Sequence, residues 1–167
     1  MSSNASTTRV AILMGSQTDL ELMRPAKVVL AELGVAAELR VISAHRTPER
    51  AIEFAQGAAA AGRKVIVCGA GGAAHLAGVV AAHTMLPVIG VPLGRSLGGL
   101  DALYATVQMP PGVPVATVGI DAAHNAGLLA AHILALSDAE LGERLIAYRD
   151  RMRAKVEAAD RDVREQP

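Results

Sequence analysis

Short apolar runs recur about every 25 residues along this chain, and each is followed by a stretch with helical spacing. Runs without polar alternation are typical of strands that are buried on both faces of a parallel sheet. Five such runs span residues 10–14, 36–42, 64–68, 87–91 and 113–120. Because strand and helix alternate, the pattern predicts βαβ units joined by right-handed crossovers.

The intervening stretches predict helices at residues 20–33, 48–61, 73–85, 99–108 and 123–136. We therefore predict one α/β domain over residues 9–136, preceded by a small, polar, frayed tail at residues 1–8. Hydrophobic residues make up 51% of the chain but aromatic residues only 2%. The core must consist of small and aliphatic side chains, which requires helices and strands to approach closely.

A different composition marks the C-terminal segment, residues 138–165, which holds 7 of the 16 basic and 8 of the 16 acidic residues. Its apolar residues recur every three or four positions, which predicts one long amphipathic helix with a single apolar stripe. Two interpretations remain open: a surface helix on its own domain, or an arm that contacts another subunit. Because the body before it is poor in charge, we favour a homo-oligomer in which residues 137–167 pack on a neighbouring subunit.

Charge, hydropathy and cysteine content exclude several classes of protein. Basic and acidic residues number 16 each, so no overall field attracts nucleic acid or an anionic membrane. The apolar runs are interrupted well before the roughly 18 residues that a membrane span needs, and the N-terminus lacks the features of a signal peptide. We expect a cytoplasmic protein with no nucleic-acid or membrane partner. The single cysteine, Cys68, excludes an internal disulfide and is interpreted as a small buried hydrophobe.

Three loops follow the first three predicted strands, at residues 15–19, 43–48 and 69–75. Ligands of an open parallel sheet bind beyond the carboxyl ends of its strands, so these loops are expected to line one cleft. Gly15 and Ser16 open a helix, whose free N–H groups suit a phosphate, and Asp19 is expected to face a ribose hydroxyl. The alternative that Ser16 or Asp19 only caps the helix remains open.

His45 and Arg46 place a titratable imidazole beside a permanent cation. An imidazole can transfer a proton near neutral pH, and a guanidinium can hold a phosphate or carboxylate through two hydrogen bonds. The pair therefore indicates proton chemistry on an anionic small molecule. His83 and His132 fall inside helical patterns and are interpreted as structural, and His124 as the start of a helix. His75 could belong either to the site or to the scaffold.

The residues between 69 and 74 formally match the dinucleotide pattern Gly-x-Gly-x-x-Gly/Ala. No acidic residue near the end of the next strand could take a ribose hydroxyl, so we interpret the segment as backbone exposed to a small carboxylate or carbon dioxide. No His-x-x-x-His or clustered Cys/His spacing indicates a metal site, and no nucleoside-triphosphate loop is present.

Four motifs occur in the order found in one family: MGSQTD at residues 14–19, SAHRTP at 43–48, GAGGAAHL at 69–76 and QMPPGVPV at 108–115. Over roughly residues 9–150 the chain resembles the N5-carboxyaminoimidazole ribonucleotide mutase (PurE) family of de novo purine synthesis. The resemblance implies a flavodoxin-like three-layer α/β/α sandwich with a central parallel five-stranded sheet and a long C-terminal helix. It also implies a homo-octamer, no organic cofactor or metal, and a transient contact with the ATP-dependent synthetase that makes the substrate.

The reaction that the resemblance implies converts N5-carboxyaminoimidazole ribonucleotide to 4-carboxy-5-aminoimidazole ribonucleotide. The substrate loses carbon dioxide, and carbon 4 of the ring recaptures it. His45 matches the catalytic proton carrier; Ser16, Ser43 and Arg46 match phosphate contacts, and Asp19 a ribose contact. The remaining substrate-binding positions implied are Gly15, Ala44, Ala70, Gly71, Gly72, His75 and Leu76.

The chain departs from the family pattern at two places, Ala77, where proline is frequent, and residues 121–125. A sister class uses free carbon dioxide on aminoimidazole ribonucleotide and typically reads Ala-His-Lys-Thr. Arg46 and the loop at residues 69–75 favour the mutase over this carboxylase. A non-catalytic, flavodoxin-like nucleotide-binding module is the third hypothesis, because a fold alone does not define a function.

Overall fold

Five parallel strands form the central sheet of the computed structural model, which describes residues 8–165. The strands are β1 Val10–Met14, β2 Ala37–Val41, β3 Val65–Gly71, β4 Val88–Leu93 and β5 Ala116–Thr117. They lie in the order β2, β1, β3, β4, β5, which is the flavodoxin-like order. The predicted fold class is confirmed. The predicted tail at residues 1–8 lies outside the described residues except for Thr8.

Helices cover both faces of this sheet. Within residues 8–165 they are α1 Leu20–Glu32, α2 Pro48–Gly57, α3 Leu76–Ala81, α4 Leu100–Val107, α5 Ala123–Ala135 and α6 Ala139–Arg164. Side chains of β1 alternate between two cores: Val10, Ile12 and Met14 pack with α1 and α5, whereas Ala11 and Leu13 pack with α2 and α3. All five are at most 1% exposed, which explains the absence of polar alternation in this strand. None of the helices in the described range is long and apolar enough to cross a membrane.

Strand β3 is longer than predicted and includes part of the glycine loop. Its register continues past Cys68, with Gly69 opposite Met14 of β1 and Gly71 opposite Leu93 of β4. A Cβ atom at Gly69 would lie 2.2 Å from the Met23 sulfur, so any larger residue there would require the buried Met23 side chain to move. The loop therefore begins after Gly71 rather than at Gly69.

Helix α3 is shorter than the predicted helix at residues 73–85. It starts late because Gly72 and Ala74 have left-handed backbone angles, with φ of 62° and 46°. It ends early because the chain turns after Ala81, and the His83 ring nitrogen Nδ1 donates a hydrogen bond to Val79 O at 2.8 Å. Helix α2 likewise ends at Gly57 instead of residue 61.

Strand β5 covers only two of the eight residues predicted at 113–120. It lies at an edge of the sheet and pairs only with β4, through Ile89 with Ala116 and Gly90 with Thr117. Pro114 has no N–H group to donate to a neighbouring strand. The segment at residues 113–120 contains proline and lies beside only one strand, so most of it is irregular.

Helix α6 is one continuous helix of 26 residues that begins at the N-cap Asp138. The Asp138 carboxylate accepts hydrogen bonds from Leu141 N at 3.1 Å and from Arg9 at 2.6 Å. The hydrogen bond from Arg9, and to a smaller extent the one from Leu141, holds the pKa of Asp138 below its usual value. In the first half of α6, Leu141 and Leu145 are buried in the core formed with α1 and α5. The distal half projects from this core.

A second polar contact joins the first half of α6 to α1. Arg144 Nε donates a hydrogen bond at 2.9 Å to Leu33 O, at the C-terminal end of α1, where carbonyl groups lack partners within the helix. Together with the bond from Arg9 to Asp138, this contact joins α6 to two segments that are more than 100 residues away in the chain. The proximal half of α6 therefore belongs to the core of its own chain.

Helices α1 and α5 approach each other closely at Gly127. A Cβ atom at this position would lie 2.7 Å from Ala26 O and 2.6 Å from a methyl carbon of Val29. The backbone oxygen cannot rotate away as a side chain could, so the contact requires glycine. A core built from small side chains is possible because of contacts of this kind.

We predict that Gly127→Ala lowers the free energy of unfolding by about 1–3 kcal/mol, because the added methyl group forces the two helices apart. Urea denaturation followed by circular dichroism measures the change. Gly142→Ala is the matched control, since nothing lies within 4 Å of a Cβ atom at this position of α6. That control is expected to gain about 0.5–1 kcal/mol from helix propensity, and equal effects of the two changes would contradict the packing argument.

Candidate active site

A cavity of about 340 Å³ lies at the carboxyl edge of the sheet, where the loops after β1, β2, β3 and β4 meet. It is lined by all twelve residues predicted to bind or transform a substrate: Gly15, Ser16, Asp19, Ser43, Ala44, His45, Arg46, Ala70, Gly71, Gly72, His75 and Leu76. Parallel strands make this possible because their carboxyl ends share one edge. The structure thus brings these residues together, and their individual roles stay predictions.

The loop after β1 forms a tight 3-10 turn at Gln17–Asp19 before α1 begins. Ser16 Oγ caps this turn and accepts hydrogen bonds from Thr18 N at 3.3 Å and Thr18 Oγ1 at 3.0 Å. Ser16 therefore caps this 3-10 turn, and its own O–H remains able to donate to an anion. Asp19 is the N-cap residue of α1, yet its carboxylate makes no capping hydrogen bond.

The loop after β2 is a closed turn that holds Arg46 toward the loop after β1. Thr47 Oγ1 accepts from Ser43 N at 3.1 Å and donates to Ser43 O at 3.0 Å. Ser43 Oγ in turn accepts from Arg46 N at 3.2 Å. The Arg46 guanidinium donates to Gly15 O at 2.6 Å, so the two loops are bridged by a cation at the mouth of the cavity. Pro48 then starts α2 in the first turn, where no N–H group is needed.

His45 and His75 form a hydrogen-bonded pair inside the cavity. His45 Nε2 lies 2.7 Å from His75 Nδ1, and the two rings meet edge to face at 85°. One ring must donate and the other accept, so each side chain fixes the orientation of the other. His75 precedes α3 but makes no side-chain capping bond, and its ring contacts His45 in the cavity instead.

Two other histidines have structural contacts away from this cavity. His83, in the turn after α3, bonds to the Val79 carbonyl of that helix, and His124 Nε2 lies 2.8 Å from the Tyr148 hydroxyl of α6. Cys68 is buried, and burial raises the pKa of its thiol well above the ordinary value. A neutral, inaccessible thiol is not a nucleophile, which confirms the interpretation of Cys68 as a buried hydrophobe.

The loop after β3 offers bare backbone to the cavity. Gly72 has a φ of 62°, and nothing lies within 4 Å of the position of a Cβ atom there. Ala74 N donates to Gly71 O at 3.3 Å and closes the turn. Main-chain groups can approach a small planar ligand here without interference from a side chain.

Arg95 also reaches the cavity, although no sequence motif predicts it. It lies in the loop after β4, where its Nε and Nη2 contact Asp19 Oδ1 at 3.0 Å and 2.9 Å, and Nη2 also donates to Thr18 O. Ser96 and Ala74 line the cavity as well. The one signal available was the position of this loop at the carboxyl end of a fourth strand, since 76 residues separate Arg95 from Asp19.

The segment at residues 121–125 supports this same loop. Asp121 has a φ of 54°, and its Oδ1 accepts from Gly94 N at 2.9 Å, directly before Arg95. Ala77 lies in the first turn of α3 and is buried. Neither departure from the family pattern contacts the histidine pair.

Comparison with known proteins identifies the family. The sequence pattern of the AIR carboxylase family matches residues 9–155. The chain belongs to the AIR carboxylase (PurE) family. It is 54% identical over 157 residues to an N5-carboxyaminoimidazole ribonucleotide mutase of Mycobacterium tuberculosis, covering 93% of this chain and 90% of that protein.

A second relative, the N5-carboxyaminoimidazole ribonucleotide mutase of Pyrococcus abyssi, is 56% identical over 146 residues, with 87% and 84% of the two chains covered. Among solved structures, the crystal structure of Treponema denticola PurE superposes with a TM-score of 0.83 at 29% identity, covering 92% of this chain and 96% of that chain. The family, the fold and the site motifs therefore agree over most of the chain.

Proposed function

We propose that this chain is an N5-carboxyaminoimidazole ribonucleotide mutase of purine biosynthesis, an isomerase that moves a carboxylate from the exocyclic nitrogen to ring carbon 4. The observation that carries the proposal is the position of His45: it lies on one of the two loops that Arg46 bridges, and its ring hydrogen-bonds to His75 of the bare glycine loop in the same cavity. The cation can bind the phosphate of an anionic ribonucleotide, and the bare glycine loop leaves room for a migrating carboxylate. The curated relatives described above carry this name.

In the proposed mechanism His45 moves one proton in each half of the reaction. The bond between the exocyclic nitrogen and the carboxylate carbon breaks, carbon dioxide leaves, and the nitrogen takes a proton from His45. Carbon 4 then attacks the carbon dioxide, and His45 removes the proton from the carboxylated ring carbon. The hydrogen bond to His75 orients the His45 ring throughout.

The other cavity residues hold the substrate still while carbon dioxide is free. Ser16, Ser43 and Arg46 hold the phosphate, with Gly15 and Ala44 supplying backbone around it. Ala70, Gly71, Gly72 and Leu76 surround the carboxylate, where exclusion of water retains carbon dioxide. The scheme invokes no organic cofactor and no metal.

One assay separates the mutase from the carboxylase of the sister class. We expect the N-carboxylated ribonucleotide, supplied in buffer stripped of bicarbonate, to give the C-carboxylated product, because carbon 4 recaptures the carbon dioxide that is released in the same cavity. Absorbance of the product follows the reaction. Product that forms only from aminoimidazole ribonucleotide plus bicarbonate would assign the chain to the carboxylase class.

His45→Asn tests the proton carrier and the hypothesis of a non-catalytic binding module together. We predict that kcat falls by about two orders of magnitude or more, the scale of general acid–base catalysis, while binding of inorganic phosphate and thermal stability stay near the wild-type values. His83→Asn is the matched control, because His83 bonds to Val79 O of the preceding helix and does not line the cavity. Unchanged turnover in His45→Asn would remove this residue from the mechanism.

We also propose that the distal half of α6 packs on a neighbouring subunit, as in a homo-octamer. Met152, Val156 and Val163 are 52–69% exposed and continue the apolar stripe of a helix whose first half buries Leu141 and Leu145. A single chain leaves this stripe in water, and a second copy would cover it. A cytoplasmic location and a transient contact with the ATP-dependent synthetase that makes the substrate stay predictions.

Met152→Glu combined with Val156→Glu is expected to reduce the molar mass in solution, since two charges would be buried in the subunit contact. Light scattering after size-exclusion chromatography measures it. Ala154→Glu is the control, because a residue two positions away on a helix lies about 200° around the axis. An unchanged molar mass in the double variant would contradict the proposal that the distal half of α6 packs on a neighbouring subunit.

A further inference from the structure

We propose that Arg95 is a positioning residue that orients the Asp19 carboxylate for the ribose and neutralises its charge beside the phosphate. The inference rests on the proposed function, which makes the ligand a ribonucleotide. It concerns a side chain that comes from the loop after β4, outside the four sequence motifs that define the family resemblance.

The negative charge of Asp19 would be unfavourable beside a phosphate without the positive charge of Arg95. Asp19 is only 7% exposed and lines the same cavity as Ser16, Ser43 and Arg46. A free carboxylate there would repel a phosphate dianion, and little water could screen it. The Arg95 guanidinium neutralises this charge through two contacts to Oδ1, at 3.0 Å and 2.9 Å.

The same contacts leave one carboxylate oxygen for the ligand. Both Arg95 nitrogens contact Oδ1, and within residues 8–165 Oδ2 takes part in no hydrogen bond. Asp19 also makes no capping bond to α1, so the helix does not constrain its carboxylate. The orientation of the Asp19 carboxylate therefore depends on Arg95, and its Oδ2 can accept a hydrogen bond from a sugar hydroxyl.

Arg95 itself is held in place by its own loop. Its aliphatic stem passes over Gly71, where a Cβ atom would lie 2.7 Å from Arg95 Cγ. Asp121 anchors the preceding residue, Gly94, and the Arg95 N–H donates to Leu93 O at 2.8 Å. A side chain fixed at its base, its stem and its guanidinium can position a partner, whereas a free surface arginine cannot.

A double-mutant cycle with two readouts tests the proposal. Arg95→Met, Asp19→Asn, the double variant, Arg95→Lys and the control Arg24→Met are compared for kcat, KM and binding of inorganic phosphate by calorimetry. Arg24 pairs with Glu21 on the surface of α1 and does not line the cavity. Thermal unfolding of each variant shows that it is folded, and Arg95→Gln, which also removes the charge, replaces Arg95→Met if the latter is not.

Arg95→Met is expected to raise KM about tenfold, the loss expected for a charged hydrogen bond, with kcat changed less than about threefold. It should also weaken phosphate binding, because Asp19 is then an unpaired anion. In the Asp19→Asn background the same change should have less than about a twofold effect, and the double variant should bind phosphate as the wild type does.

Three outcomes would overturn the proposal. Equal losses in both backgrounds would show that Arg95 contacts the substrate directly, and weak phosphate binding by the double variant would show the same. An unchanged KM in Arg95→Met would show that Asp19 needs no partner. Failure of the wild type to turn over the carboxyaminoimidazole ribonucleotide would instead refute the proposed function, and the phosphate measurements would still decide the role of Arg95.

Discussion

Every strand of this sheet runs in the same direction, and the site depends on that single constraint. Parallel pairing sends the loops after β1, β2, β3 and β4 to one edge. The order of the strands then decides which loops touch. The β1 loop lies between those of β2 and β3, so Arg46 can reach Gly15 from one side and the histidine pair can form across the cavity mouth.

The near absence of large aromatic side chains shapes both the core and the site. Aromatic residues are 2% of the chain, so close contact between elements takes the place of large side chains. Gly127 permits the contact of α1 with α5, Gly69 makes room for Met23, and Gly71 makes room for Arg95. The same use of glycine that packs the core also exposes backbone at the cavity.

Local sequence pattern was sufficient for the elements whose burial is uniform. Strand β1 has the predicted bounds, and α1, α5 and α6 agree within one or two residues, because their periodicity and end signals lie within the elements themselves. The pattern failed for β5 and α3. The edge position of β5 limits its length, and the left-handed backbone angle at Ala74 delays the start of α3. Neither feature produces a periodic signal in the sequence.

The twelve predicted site residues could be identified from sequence because each belongs to a short motif at the carboxyl end of a strand. Only the tertiary structure decided that His75 meets His45 and that Arg95 pairs with Asp19. These contacts join residues that are 30 and 76 positions apart. Motifs and periodicity encode what neighbouring residues do, whereas the strand order and the space at Gly71 determine which distant side chains can meet.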